Sequence, residues 1–240
     1  DVIILKHIFR QTDPVFSKIL RQIRRGGITK KSHDILHKRI MNKENKLELS
    51  YGKQLNPPLI LPLKKSVSNI NTMNMEKLTS PLLTYKYKII YTNDYIQPNK
   101  KLVDYEMDQL KRSMNAELSL QLKIGARVMC IANIDMEGSQ KIVNGSQGII
   151  IDIIDTIPLV KFKNGITKPI TYHTWMSNDI QGLGIQQIPL MLSWAITIHK
   201  SQGITLDSAI IDVGDDIFEH GQTYVALSRL KTLDGLFLGK

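Results

Sequence analysis

Trp194-Ala-Ile-Thr-Ile-His-Lys-Ser-Gln-Gly-Ile-Thr-Leu-Asp207 is the stretch on which the fold turns. An apolar strand, read at Leu190 to Trp194, leads into it, and a polar turn broken by Gly203 follows. Such a turn after a buried strand presents hydroxyls, backbone N–H groups and a cation, the set that meets phosphates. Gly203 lets a ligand approach the backbone closely. The plain alternative is a capped turn whose His199 and Lys200 are only solvated.

Outward from this stretch, strands and helices alternate on both sides. Downstream lie a strand at Ala209 to Val213, a helix around Gln222 to Arg229 and a final strand at Leu236 to Leu238. Upstream, Leu59-Ile60-Leu61 reads as a buried strand and Ser66 to Leu78 as a helix with Val67, Ile70 and Met73 inward. A strand-to-helix unit of this kind belongs to an α/β layer. Asp13 and Pro14 supply an N-cap and a first helical position. Phe16, Ile19, Leu20 and Ile23 then share one face until Gly26-Gly27 stops the run, with Arg21, Arg24 and Arg25 at or near the polar face. A short helix and a mobile loop are expected from Lys30 to Leu55. Asp1-Val-Ile-Ile-Leu5 has no initiator Met and reads as a strand already under way, so further chain is expected before it.

Between these α/β parts the pattern changes. Tyr85 to Tyr91 alternates as one strand, and Asp104 to Arg112 reads as a helix. Gly125 to Ile131, Gly148 to Ile154 and Leu159 to Lys163 are short runs rich in Val and Ile. Asn164-Gly165 is a two-residue hairpin signal leading into Thr167 to His173. Short strands joined by tight turns suggest a small barrel. The expected architecture is an α/β domain with a small β module inserted into it.

With 240 residues, 42% of them apolar, the chain can bury one sizeable core or two smaller ones. No apolar run approaches the ~20 residues that span a bilayer. Cys130 stands alone, which excludes an intrachain disulfide and a four-cysteine zinc site and fits a reducing, intracellular setting. The net charge of +10 is localised: 15 of the 32 Lys/Arg and 5 of the 22 Asp/Glu fall between Asp1 and Lys65, leaving 17 of each for the rest. A localised basic excess is the footprint of a polyanion partner, because each cation that meets a phosphate releases counterions. On charge alone, a solvated basic segment explains it equally well.

A second segment, Gly221-Gln-Thr-Tyr-Val-Ala-Leu-Ser-Arg-Leu230, joins the first. Together they closely resemble the last two motifs of superfamily 1B helicases of the Pif and RecD-like family, which move 5′ to 3′ on DNA. The resemblance implies that Thr197, His199, Lys200 and Ser201 lie along the DNA strand, while Gln202 and Gly203 face an interdomain nucleotide. It makes Arg229 an arginine finger, since an Arg at a helix end can offer five donors to a γ-phosphate held elsewhere. Without the resemblance, Arg229 would be a helix C-terminal cation acting on the macrodipole.

Three weaker matches follow in the family's order. Ile8-Phe-Arg-Gln-Thr-Asp13 resembles a V-F-R-Q-x-D segment, which makes Arg10 a second candidate for the γ-phosphate, against a plain salt bridge to Asp13. Leu61-Pro-Leu-Lys-Lys-Ser-Val-Ser-Asn-Ile-Asn71 is similar to a segment that approaches the DNA backbone. Lys64 and Lys65 are its candidates, although Leu63 stands where the family has Thr. Leu122-Lys-Ile-Gly-Ala-Arg-Val-Met129, with Val143-Asn-Gly-Ser-Gln-Gly148, resembles the entry to an SH3-like insert and adds Asn144 as a DNA contact.

The resemblance implies a RecA-like second motor domain in two parts, 1–121 and 189–240, with the SH3-like module at 122–188. No G-x-x-x-x-G-K-[ST] loop is present, since Gly52-Lys53 lacks the upstream Gly and Gly235 to Gly239-Lys240 has the wrong spacing. ATP and Mg²⁺ are therefore expected on an upstream RecA-like domain, and the chain alone is expected to be inert as an ATPase. The implied partners are single-stranded DNA, that domain and replication proteins, with no membrane and no bound structural metal. The implied setting is a nucleus or a cytoplasmic viral replication site. A non-motor nucleic-acid-binding accessory subunit of a replication complex is the alternative. His33-Asp-Ile-Leu-His37 mimics a zinc-protease helix but has the shorter Asp34 as base and no third ligand.

Overall fold

The computed structural model of the chain describes residues 9–41, 56–96, 98–137 and 141–239. The strand read at 1–5, the loop expected across 42–55 and the Gly52-Lys53 pair lie outside them. The described elements begin with α1 (Pro14–Arg24), α2 (Lys30–His37), β1 (Leu59–Leu61), α3 (Lys64–Glu76), β2 (Leu83–Lys86), β3 (Lys88–Tyr91) and α4 (Lys100–Ser113). Then come β4 (Ser119–Leu122), β5 (Arg127–Cys130), β6 (Gln147–Ile154), β7 (Ile157–Phe162), β8 (Thr167–Pro169), β9 (His173–Met176), β10 (Leu183–Gln187) and β11 (Leu190–Leu192). The last are β12 (Ala195–Thr197), β13 (Ala209–Ile211), α5 (Gln222–Leu227), a 3₁₀ turn at Leu233–Gly235 and β14 (Leu236–Leu238). They fall into two compact units, residues 1–72 with 193–240, and residues 73–192.

The first unit is a parallel sheet in the order β12-β1-β13-β14. Leu59 pairs with Ala195 on one side of β1 and with Ile210 on the other. Ile60, Ile196, Ala209 and Ile211 are buried, as expected for short parallel strands covered on both faces, and this is why each reads as an unbroken apolar run. Helix α1 starts where Asp13 and Pro14 say it must: the Asp13 carboxylate accepts from the N–H groups of Val15 and Phe16. Its face of Phe16, Ile19 and Leu20 is buried, and it packs against α5.

Helix α3 differs from the expectation. It begins at Lys64, and Met73, read as inward, is 57% exposed while Met75 is buried. Asn71 on this helix donates from Nδ2 to the Ala195 carbonyl and accepts at Oδ1 from the Ala195 N–H, each at 3.0 Å. Among the described residues strand β12 is an edge of its sheet, and this amide satisfies its outward backbone groups.

The second unit holds a five-stranded antiparallel sheet in the order β11-β5-β6-β7-β8, a three-stranded sheet β3-β10-β9 and the pair β2-β4. The run from Tyr85 to Tyr91 is thus two strands in two sheets, broken at Tyr87, whose N–H donates to the Leu118 carbonyl. Likewise the strand read at Leu190 to Trp194 ends at Leu192, and the chain re-enters the first unit as β12. Gln187, fully buried, donates from Nε2 to the carbonyls of Tyr85 and Glu117 and accepts from the Ile188 N–H, all at 2.9 Å. Asn164-Gly165 does turn the chain, but through a three-residue loop: the Gly165 N–H donates to Phe162 and the Phe162 N–H to Ile166, with Gly165 at φ 91°. The two-residue turn lies earlier, at Asp155 and Thr156 with φ 48° and 65° between β6 and β7. The Cys130 thiol is buried and pushed up to about 11 by desolvation, so it is a packing group rather than a nucleophile. Among the described residues no helix is long and apolar enough to cross a membrane.

Candidate functional site

Strand β12 ends at Thr197, and the backbone folds back at once. The N–H of Lys200 donates to Thr197 Oγ1 at 3.1 Å, that of Ser201 to the Thr197 carbonyl at 3.0 Å, and that of Gln202 to the His199 carbonyl at 3.0 Å. Ser201 is fully buried and its hydroxyl donates to the Ile198 carbonyl at 2.6 Å, while Thr197 is also buried. The two hydroxyls expected along a ligand strand are therefore used to shape the turn. What the turn turns outward is His199, Gln202 and Gly203, the last at φ 79° with open space where a Cβ would stand.

The two arginines meet at the end of α5. Arg229 donates from Nε to the Val225 carbonyl at 2.9 Å and from a terminal nitrogen to the Ser228 hydroxyl at 2.7 Å. Arg10 donates to the Ser228 carbonyl and, through Nε, to Thr205 Oγ1, both at 3.1 Å. The expected alternative for Arg10, a salt bridge to Asp13, is not formed; Asp13 caps α1 and accepts from the Leu233 N–H at 3.1 Å. Burial lowers the Arg229 pKa, and the neighbouring Arg10 charge lowers it further, against a smaller opposing effect of Tyr224. Neither guanidinium has a carboxylate within ion-pair distance among the described residues. Two like charges held together in a half-buried place favour an anion.

Gln11, to which the sequence alone assigns no role, donates from Nε2 to the carbonyls of Ser228 (2.9 Å) and Leu230 (3.0 Å). With the Thr12 N–H donating to the Lys231 carbonyl, residues 10–13 are zipped onto residues 228–233. The motif's sequential order, Arg-Gln-x-Asp, was the available signal.

Beside the turn lies a cleft of about 440 Å³ walled by His199, Gln202, Glu219, His220, Gln222 and Tyr224, among others. Gln222 is buried and both polar atoms of its amide lack a partner among the described residues. Lys64 and Lys65 are exposed in the first turn of α3, which carries no acidic residue there. Leu63 occupies the N-cap position, its carbonyl accepting from the Val67 N–H at 3.2 Å, and it supplies no capping hydroxyl. Cations at a helix N-terminus oppose the macrodipole, a tension that an anion relieves. Asn144 belongs to the second unit, where its N–H donates to Asn133 Oδ1 at 3.0 Å and its own Oδ1 is buried without a partner among the described residues. The rings of His33 and His37 stand 6.1 Å apart, and no cluster of three or more metal-ligating side chains occurs among the described residues.

The family described as "DNA helicase Pif1, 2B domain" matches residues 107–153. The ATP-dependent DNA helicase PIF1 of Xenopus laevis is 32% identical over 97% of this chain and 34% of its own length. The crystal structure of Bacteroides sp Pif1 in complex with ADP-AlF4 is 31% identical, with a TM-score of 0.72 over 97% of this chain and 50% of that one. The Bacteroides Pif1 structure in complex with ADP-AlF3 and ssDNA is 32% identical, with a TM-score of 0.56 over 98% and 51%. This chain spans about a third of the frog protein and about half of each solved chain. The parallel α/β layer and these likenesses define a chain related to part of a DNA helicase. It belongs to the Pif1 helicase family.

Proposed function

We propose that this chain is the C-terminal motor part of an ATP-dependent 5′-to-3′ DNA helicase, gripping single-stranded DNA and acting on ATP held by another domain. The sheet β12-β1-β13-β14 is then the core of a second RecA-like domain. The strands between 122 and 188, which lie within residues 73–192, are its SH3-like insert. The observation that carries the reading is the pair Arg10 and Arg229, anchored together on Ser228 with no counter-ion among the described residues. A γ-phosphate presented by a phosphate-loop domain supplies the missing charge, with Arg229 as the finger and Arg10 as its second.

In the same reading Thr197 and Ser201 set the turn that offers His199 and Lys200 to the DNA strand, with Lys64 and Lys65 of α3 and Asn144 as further contacts. Gln202 and Gly203 face the nucleotide, and Mg²⁺ stays with the other domain. The chain alone binds single-stranded DNA and turns over no ATP.

The test is a fusion of a relative's phosphate-loop domain ahead of this chain. It should hydrolyse ATP in response to single-stranded DNA, and Arg229→Ala should cut that turnover by about 10³-fold with DNA affinity retained. Unchanged turnover in the variant removes the finger assignment. A fusion that binds DNA and never responds with ATP turnover favours the non-motor accessory subunit instead.

A further inference from the structure

We infer that the exposed face of α1 is a second nucleic-acid site, which takes the phosphate backbone of a duplex apart from the strand held by the Thr197–Gly203 turn. The inference rests on the nucleic-acid reading above but on different residues. Lys18, Arg21, Gln22 and Arg25 line one concavity of about 340 Å³, and Arg24 flanks it in sequence. Lys18, Arg21 and Arg25 are exposed, and none has a carboxylate within ion-pair distance among the described residues. Among the described residues Arg21 uses Nε alone, donating to the Ser17 carbonyl at 3.3 Å, and its terminal nitrogens have no partner there. Gln22 accepts at Oε1 from the N–H and hydroxyl of Thr29, both at 3.5 Å, which leaves its NH₂ as the group turned to donation.

The concavity thus offers donors and positive charge and no carboxylate among its lining residues, the chemistry of a phosphate site. Its length selects a polymer over a single anion. Lys18 and Arg25 are seven residues apart, about 10 Å at ~1.5 Å per residue. A duplex strand carries a phosphate every ~3.4 Å of duplex axis, so a row of this length meets more than one phosphate. The opposite face, Phe16, Ile19 and Leu20, is buried and α1 packs against α5, so the basic face points away from the helix that ends just before Arg229.

The experiment measures anisotropy of a labelled duplex with a 5′ single-stranded tail against the whole chain, from about 50 to 200 mM salt. The triple change Lys18→Ala, Arg21→Ala and Arg25→Ala keeps good helix formers at exposed positions, and circular dichroism checks the fold. The log K against log salt slope should become shallower by about 2 to 3. Arg21→Lys with Arg25→Lys should keep the parent slope, and Lys200→Ala should add its loss independently. A parent-like slope in the triple variant overturns this inference and leaves the helicase reading standing. An equal loss from Lys77→Ala, Lys100→Ala and Lys101→Ala also overturns it, because the effect would be diffuse charge. Displacement of the duplex by poly-glutamate at equal charge would make the partner an acidic peptide. A parent chain that binds no nucleic acid overturns the helicase reading as well.

Discussion

Arg10 and Arg229 end on the same residue, Ser228, the first on its carbonyl at 3.1 Å and the second on its hydroxyl at 2.7 Å. They come from opposite ends of the sequence and are held with their charges in range of each other. Only the Arg229 link passes through a side chain, so the two can be separated by mutation. Ser228→Ala should cost about 1–3 kcal/mol in chemical denaturation, as a buried charged hydrogen bond is lost, while the Arg10 contact survives. In the fusion described above, Arg229→Lys should fail to restore turnover, because one ammonium cannot replace a fork of donors. A fully active lysine variant would argue for a point-charge role.

Asn71 should matter more for stability than any lysine of its helix. Asn71→Leu leaves the N–H and carbonyl of buried Ala195 without partners at the sheet edge. A loss of roughly 2 kcal/mol or more is expected in urea unfolding, with a weakened nucleic-acid affinity because β12 carries the turn. A variant of parent stability would mean that the edge finds other partners.

Asp13 gives a pH-dependent test. Partial burial alone would raise its pKa, but the N–H donors of Phe16, Leu233 and Val15, with the Arg39 charge, hold it below the usual value. A depressed folded-state pKa means that the unfolded chain binds the proton more readily. The contribution is thus complete above about pH 4 and lost as pH falls through the folded value. Asp13→Asn should lower stability in the neutral region, where the carboxylate's contribution is complete, and flatten the acid limb below about pH 4. Identical acid limbs in the two proteins would contradict the assignment.

Lys200→Ala should weaken single-strand affinity and make its salt slope shallower by about 0.7, the value for one phosphate on a single strand. The backbone N–H of Lys200 stays bonded to Thr197 Oγ1 in the variant, so the turn itself is preserved. An unchanged slope would remove Lys200 from the strand path.

What could be read from the sequence was what is decided locally. The start of α1 is fixed by Asp13 and Pro14 within four residues of chain, and the short parallel strands announce themselves by being apolar on both faces. Helix α3 itself was legible, but its inward face was not, because the stripe is disguised. At about 100° per residue, Val67, Asn71, Asn74, Met75 and Leu78 share a side, whereas Val67, Ile70 and Met73 drift by about 60° at each step. A polar Asn71 in the stripe looks like an interruption until its partner Ala195, more than a hundred residues away, is known. The split at Tyr87 was hidden for the same reason: alternation continues through it, and only the separate partners of β2 and β3 mark the break. Motif order pointed to Arg10 and Arg229, but their meeting at Ser228 and the work of Gln11 are tertiary facts.

The place of β1 has a consequence for synthesis at the ribosome. Both of its neighbours, β12 and β13, are made more than a hundred residues after it. At ~5–20 residues per second, Leu59-Ile60-Leu61 spends roughly 7–27 s with both edges open. Residues 73–192 meanwhile emerge as a run that pairs within itself. Nascent chains stalled before Ala195 should therefore carry an adhesive apolar strand that chaperones recognise, and the parallel sheet should appear only when the last fifth of the chain is released.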